Sequence, residues 1–136
     1  MSYYFIKHNV QESESFIHNS IYNLNIINTP KPYTYDNNTK IFTMKNIPTL
    51  NLSDMYGENF SDIPTYITDE IRNIIATLYS YGIEYPDITG YNFIEYQNKI
   101  WIIDFGHASY KSDYTKYDPF IIKFINGSNN WNPNYI

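Results

Sequence analysis

The sequence predicts an α+β fold built as one domain of 136 residues. Segments with strand and helix signatures follow one another in the order strand, helix, hairpin, helix, loop, hairpin, helix. Neither an internal repeat nor a low-complexity linker interrupts this order, so we expect a single domain. The residues are 43% hydrophobic and 17% charged, a composition that supplies a core and differs from that of disordered chains.

The first third of the chain predicts one strand, one helix and one hairpin. Residues 3–7 are aromatic and branched, which favours a short strand. Over residues 12–24 the apolar side chains recur at helical spacing. Two further runs, 33–36 and 40–45, flank the polar turn Asp-Asn-Asn-Thr and predict a hairpin.

The clearest helix is predicted over residues 65–81. It carries one apolar stripe, formed by Ile67, Ile71, Ile74, Ile75 and Leu78. We place Asp69 and Glu70 in its first turn, where carboxylates stabilise the helix dipole, and Gly82 at its end. A shorter helix is expected within residues 51–57.

Two paired strands and a final helix are predicted in the last third of the chain. The strands lie at residues 93–94 and 100–103, on either side of the turn Tyr-Gln-Asn-Lys. The helix begins at Asp118, with Pro119 at its first position, where proline is favoured because no donor is lost.

Charge and composition exclude several classes of function. The net charge of −5 and the absence of Lys/Arg clusters argue against nucleic acid as the main ligand. The chain has no cysteine and therefore no disulfide or thiolate metal site. It shows neither a signal peptide nor an apolar run of membrane-spanning length, so we expect a soluble, cytoplasmic protein with no membrane partner. Its Tyr and Asn bias is typical of AT-rich genomes, such as those of large DNA viruses or parasites.

Three polar side chains stand at fixed separations in the second half. Asp87 lies in the predicted loop after Pro86, and Asn92 follows five residues later. The tripeptide Asp104-Phe105-Gly106 comes directly after a strand that looks buried. Taken singly, each is an ordinary turn residue. Their order and spacing, behind a helix and at the end of a strand, make the set specific.

This order resembles the catalytic core of the protein-kinase-like superfamily. Phosphoryl transfer needs a carboxylate that accepts a proton, together with an amide and a second carboxylate that hold Mg²⁺ against the phosphates of ATP. The resemblance therefore implies that Asp87 is the base and that Asn92 and Asp104 are metal ligands. It also implies a minimal kinase-like fold, with a truncated amino-terminal lobe at about residues 1–46 and a small, mostly helical carboxy-terminal lobe at about 47–136.

The resemblance extends upstream of the motif. Lys7 ends the first strand, where the family places its phosphate-contacting lysine. Glu14 shares a helix face with inward-facing isoleucines and is its expected partner, while Glu12 is the alternative. The resemblance puts the segment from Met44 to Asn46 beside the adenine of ATP. Asp118 matches the aspartate that braces the catalytic loop from below, whereas His8, His18 and His107 are expected to be surface or structural residues.

The chain also departs from the family pattern. Tyr85 replaces the usual histidine before the base, and Thr89 replaces a lysine common in protein kinases. In this respect the loop is more similar to those of small atypical kinases, namely RIO kinases and the kinase-like ATPase of tRNA-modification complexes. The first glycine is Gly57, so no glycine-rich phosphate loop precedes Lys7.

Three functional hypotheses follow from these residues. The first is a minimal ATP- and Mg²⁺-dependent phosphotransferase or ATPase, which the retained base, amide and Asp-Phe-Gly favour. The second is a pseudokinase that acts as a protein-interaction module, which the missing phosphate loop favours. The third is an unrelated structural or interaction protein. Because the shortened sheet leaves an edge near residues 3–7, we expect a homodimer or a protein partner to complete it.

Overall fold

A three-stranded antiparallel sheet forms the amino-terminal part of the computed structural model, which describes residues 3–111, 113 and 116–136. Its strands are β1 (Tyr4–Lys7), β2 (Pro32–Asp36) and β3 (Ile41–Lys45), in the order β1-β3-β2. The register places Lys7 of β1 opposite Phe42 of β3. The predicted strands therefore share one sheet, and β1 lies at its edge.

Helix α1 (Glu12–Leu24) connects β1 to β2 and covers one side of the sheet. It ends at Asn25, whose φ of 54° places it in the left-handed region that asparagine tolerates. Along its inner face the helix buries Glu14, His18 and Ile21. The pattern of apolar side chains thus predicted both the helix and the inward direction of Glu14.

The rest of the chain is mainly helical. It contains α2 (Leu52–Tyr56), α3 (Thr65–Ser80) and α4 (Pro119–Ile125). Asp118 caps α4, accepting a hydrogen bond from the Phe120 amide at 3.0 Å. The placement of Asp69 and Glu70 in the first turn of the long helix was wrong, because α3 begins directly after Pro64 and both residues fall in its second turn. No helix in the described part of the chain is long and apolar enough to cross a bilayer.

Two small antiparallel pairs position the loops that carry the predicted site. One pair joins β4 (Ile83–Glu84) to β7 (Ser109–Tyr110), and the other is the hairpin of β5 (Phe93–Tyr96) and β6 (Lys99–Ile102). The hairpin turn has positive φ at both central residues, Gln97 and Asn98, as tight hairpins require. The loop with Asp87 runs from β4 to β5, and Asp104 follows the end of β6.

Two clusters of buried side chains hold these elements together. The larger one joins α1, α3, α4 and the strands of the carboxy-terminal part, and it includes Phe105. The smaller one lies under the three-stranded sheet and contains Val10, Phe42 and Met44. These elements form an α+β fold with a small sheet beside a mostly helical body, as the sequence predicted.

His18 sits between the sheet and the helical body. Its ring contacts Phe42 and Phe105 edge to face, with centroids 5.1 and 5.2 Å away. Nε2 lies 2.7 Å from the Pro30 carbonyl oxygen and therefore carries the proton. Burial, helped by the charge of nearby Lys7, lowers the pKa of His18 to about 4 against the opposing effects of the Pro30 carbonyl and Asp104.

We expect the free energy of unfolding to fall when the pH drops from about 6.5 to about 4. In this window the unfolded chain binds a proton at His18 that the folded chain excludes, so acid favours unfolding. The full effect is about 3 kcal/mol. Urea titrations across this range measure it, with His18→Phe expected to reduce the slope. His8, which is exposed, supplies the control variant His8→Phe, and equal slopes in the two variants would contradict the assignment.

Candidate active site

Lys7, Glu14 and Asp104 meet in one ion-paired group. Lys7 Nζ lies 2.5 Å from Glu14 Oε2 and 3.2 Å from Asp104 Oδ1. The three residues come from the end of β1, the first turn of α1 and the loop after β6. One ammonium is therefore shared between two carboxylates, and the sequence-predicted pair of Lys7 and Glu14 is formed.

Burial and charge act in opposite directions within this group. Burial alone would lower the pKa of Lys7, but its hydrogen bond to Glu14 and the charges of Asp104 and Glu14 raise it. Burial also raises the pKa of Glu14, against the lowering effect of Lys7. The alternative partner, Glu12, lies at the surface and accepts a hydrogen bond from Asn37. Lys7 thus remains a cation beside the cleft described below.

The backbone around Asp104 is held by two hydrogen bonds. The Gly106 amide donates to Asp104 Oδ1 at 2.8 Å, and the Tyr85 hydroxyl donates to the Asp104 carbonyl oxygen at 2.5 Å. Burial raises the pKa of Tyr85 well above its ordinary value, so its hydroxyl keeps the proton that it donates. The Tyr85 ring also packs edge to face on Phe105. Tyr85, at the position of the family's histidine, therefore joins the Asp87 loop to the Asp-Phe-Gly segment.

We expect Tyr85→Phe to lower the free energy of unfolding by about 1–3 kcal/mol, because the partly buried Asp104 carbonyl loses its hydrogen-bond donor. Urea denaturation with circular dichroism measures this change. Tyr81→Phe removes a hydroxyl from an exposed tyrosine at the end of α3 and serves as the control. Equal losses in both variants would show that the hydrogen bond to Asp104 does not contribute measurably to the free energy of unfolding.

Asp87 and Asn92 lie in the same loop and are linked by a hydrogen bond. Asn92 Nδ2 donates to the Asp87 carbonyl oxygen at 2.8 Å, and a short 3₁₀ turn (Gly90–Asn92) leads into β5. The Asp87 side chain is 14% exposed, and its Oδ2 lies 3.0 Å from Nδ1 of His107. Asn92 thereby fixes the backbone of the loop, while the Asp87 carboxylate remains accessible.

Asn132 supports this loop from below. Asn132 is fully buried. Its side-chain Nδ2 donates to the Pro86 carbonyl at 2.8 Å, and its backbone amide donates to the Ile88 carbonyl at 2.9 Å. The resemblance to kinases had implied that Asp118 supports the loop. That assignment was wrong, because the Asp118 side chain caps α4 and its amide donates to Glu84.

A cleft of about 350 Å³ lies between the three-stranded sheet and the helical body. Its volume is in the range of small-molecule sites. The predicted residues that line it are Lys7, Met44, Asn46, Asn92 and Asp104. The predicted adenine-side segment and the predicted metal ligands therefore face one space, beside the Asp87 loop.

The donor set of the cleft fits Mg²⁺. Asn92 uses its Nδ2 for the Asp87 carbonyl, which leaves the amide oxygen as a ligand. The hydrogen bonds of Asp104 run to Oδ1, which leaves Oδ2. Among the described residues no cluster of three or more His, Asp or Glu could hold a metal alone. One carboxylate and one amide are the incomplete set typical of Mg²⁺ that is also bound by phosphates.

Two residues that contact the Asp87 loop were not assigned to the candidate site from the sequence. Asn132 carries no distinguishing signal, because asparagine is abundant throughout the chain. His107 was expected to be a surface or structural residue, yet it contacts the predicted base. Its position directly after Asp-Phe-Gly was the one available hint.

The comparisons with known proteins concern the fold alone. No protein-family model and no curated protein matches the chain. Among solved structures, the kinase PK-1 of Cydia pomonella granulovirus matches with a TM-score of 0.58 at 14% sequence identity, over 85% of this chain and 46% of that chain. Choline kinase LicA from Streptococcus pneumoniae gives a TM-score of 0.41 at 13% identity, over 93% of this chain and 67% of that one.

The granulovirus kinase shows that this chain has a protein-kinase-like fold. At 14% identity the likeness concerns the fold alone. The chain spans about half the length of that kinase. The TM-score with the choline kinase is too low to add to the argument.

Proposed function

We propose that the chain is a minimal kinase-like phosphotransferase or ATPase that uses ATP and Mg²⁺. The observation that carries the proposal is the group of Lys7, Glu14 and Asp104 at the cleft that Asn92 also lines. A half-buried ammonium held between two carboxylates favours a functional site over a solvated edge lysine. The similarity of the Asp87 loop to those of RIO kinases and of the tRNA-modification ATPase supports an atypical member, and the use of ATP fits an intracellular location.

Each residue has a defined task in this reaction. Lys7 contacts the phosphates of ATP, while Asn92 and Asp104 would hold Mg²⁺, which offsets the phosphate charge when bound. Asp87 accepts the proton of the attacking hydroxyl or water. As that oxygen bonds to the γ-phosphorus, the bond from phosphorus to the bridging oxygen breaks, and its electron pair leaves with ADP.

The pseudokinase hypothesis is retained as the second candidate. Its supporting observation is that no glycine precedes Gly57 in this sequence, so a glycine-rich loop is not among the given residues. In that case the cleft binds nucleotide weakly or serves as a fixed scaffold for a partner. The two candidates differ in whether Mg²⁺ matters for binding and whether ATP is turned over.

Nucleotide binding to the unmodified chain tests the proposal. Backbone contacts to charged phosphates contribute about 1.5–3 kcal/mol each. The loss of about two of them weakens binding on the order of a hundredfold or more, so we expect a Kd for ATP near ~1 mM that depends on Mg²⁺. Calorimetry or thermal shift with and without Mg²⁺ measures this. Equal binding in both conditions favours the pseudokinase, and no binding at any reachable concentration, with or without a natural partner, refutes a nucleotide function.

We also propose that a second copy of the chain covers the edge of β1. The side chains from Tyr3 to Ile6 are between 49% and 80% exposed, and none of them is charged. Natural edge strands usually carry charges that prevent pairing. Without such charges, two β1 strands can pair antiparallel and join two sheets.

Ile6→Lys is accordingly expected to convert a dimer into a monomer, because it places a charge on an edge that would pair with itself. Analytical ultracentrifugation over a range of protein concentrations measures the change. Thr39→Lys, in the turn between β2 and β3, adds the same charge away from this edge and serves as the control. A wild-type chain that stays monomeric throughout would rule out the second copy, and pull-downs would then test for a different partner.

A further inference from the structure

The Asp87 carboxylate is held by a histidine outside the family pattern. His107 Nδ1 lies 3.0 Å from Asp87 Oδ2. Because a carboxylate accepts hydrogen bonds, Nδ1 must carry the hydrogen of this contact. This arrangement leaves Asp87 Oδ1 as the oxygen that an incoming hydroxyl can approach.

The His107 ring is fixed from two directions. On the chain side, the turn after Asp104 is closed by bonds from Gly106 to Asp104 Oδ1 and from the Ala108 amide to the Phe105 carbonyl. On the other side the ring packs edge to face against Tyr135, with centroids 5.0 Å apart. The imidazole therefore approaches Asp87 in a defined orientation.

This contact is a weak source of stability. The His107 side chain is 59% exposed, and exposed pairs contribute little to the free energy of unfolding because water screens them. Its main consequence is geometric, since it fixes the rotation of the carboxylate that is proposed to take a proton. A misplaced base can lower a rate substantially even when it stays in the site.

We infer that His107 is a positioning residue for Asp87, and this inference rests on the proposed phosphotransfer or ATPase function. The Nδ1–H of His107 donates to Asp87 Oδ2 and turns Oδ1 toward the acceptor hydroxyl. Tyr135 supports this orientation by packing edge to face against the imidazole. The carboxy-terminal segment that contains Asn132 and Tyr135 thus supports the Asp87 loop and orients its catalytic side chain.

The first test determines which ring nitrogen of His107 carries the hydrogen, and it does not depend on ATP turnover. In ¹⁵N-edited NMR spectra of the whole chain, at a pH where the imidazole is neutral, His107 is expected to be the Nδ1–H tautomer. In Asp87→Ala this preference should shift toward Nε2–H, because the acceptor is gone. His107 as the Nε2–H tautomer in the unmodified chain would overturn the inference, whatever the outcome for nucleotide turnover.

The second test separates positioning from folding. His107→Phe keeps a ring beside Tyr135 but removes the donor, and it should lower kcat about tenfold or more with the KM for ATP and the Tm nearly unchanged. His107→Asn offers an amide donor and should recover most of the loss. His8→Phe replaces another exposed histidine and is the matched control.

The outcomes distinguish this inference from the proposed function. If the unmodified chain turns over ATP and His107→Phe is as fast, the inference fails while the proposed function stands. If His107→Phe lowers Tm and kcat together and His107→Asn does not recover activity, the role is structural and the inference is also overturned. If the unmodified chain shows no turnover, alone or with its partner, the proposed function fails and this inference fails with it.

Discussion

Asp87→Asn is expected to lower ATP turnover about 10²–10⁴-fold, the usual contribution of a positioned general base. Asparagine has nearly the same shape, and the backbone bond from Asn92 to the residue 87 carbonyl is unaffected by the change. The new amide oxygen can still accept from His107. What is lost is the basic carboxylate, so ATP affinity and Tm should remain close to those of the unmodified chain. Steady-state phosphate release and calorimetry measure the two quantities.

The control for this experiment is Asp69→Asn, which makes the same chemical change on the exposed second turn of α3. It is expected to keep full turnover. If Asp87→Asn also keeps full turnover, Asp87 is not the base. If it loses ATP affinity in proportion to turnover, Asp87 acts in binding, and the proposed division of tasks at this site is wrong.

The second large effect is expected for Asp104→Ala, which should abolish the Mg²⁺ dependence of ATP binding. Asp104 is the one carboxylate among the residues that we propose as metal ligands. Asn92 alone offers a single neutral oxygen, which is a poor site for a cation that prefers carboxylates and phosphates. Titrations of ATP with and without Mg²⁺ should then give the same Kd.

Asp104→Ala also removes one of the two acceptors of Lys7 and the side-chain acceptor of the Gly106 amide. A companion variant, Asp104→Asn, keeps an oxygen for both donors and removes only the charge. We expect it to lose the Mg²⁺ effect as well, with a smaller change in Tm. Persistence of the full Mg²⁺ effect in both variants would contradict the metal role of Asp104 and favour the pseudokinase hypothesis.

Local patterns in the sequence predicted most of the secondary structure. The spacing of isoleucines predicted α3, and short runs of aromatic and branched residues on either side of a polar turn predicted the hairpin of β5 and β6. Such signals lie within a few residues of each other, so one sequence is enough to read them. The error at Asp69 and Glu70 has a different origin: α3 begins at Thr65, as predicted, and at 3.6 residues per turn its fifth and sixth residues already lie in the second turn.

The site was predictable only where its residues belong to a short motif. Asp87, Asn92 and Asp104 stand at fixed separations, and Glu14 could be oriented by the helix period. Asn132 and His107 reach the Asp87 loop through tertiary packing, which no spacing reveals. Asn132 approaches Pro86 across 46 residues of chain, and in a sequence rich in asparagine nothing marks it in advance.

The ion-paired group also constrains when a competent site exists during folding. Lys7 and Glu14 are 7 residues apart, whereas Lys7 and Asp104 are 97 residues apart. The first pair can form as soon as β1 and α1 dock, but the second requires most of the chain to be synthesised and the long intervening loop to be closed. A nascent chain can therefore form the pair of Lys7 and Glu14 before the cleft exists. The proposed chemistry becomes possible only when Asp104 reaches Lys7.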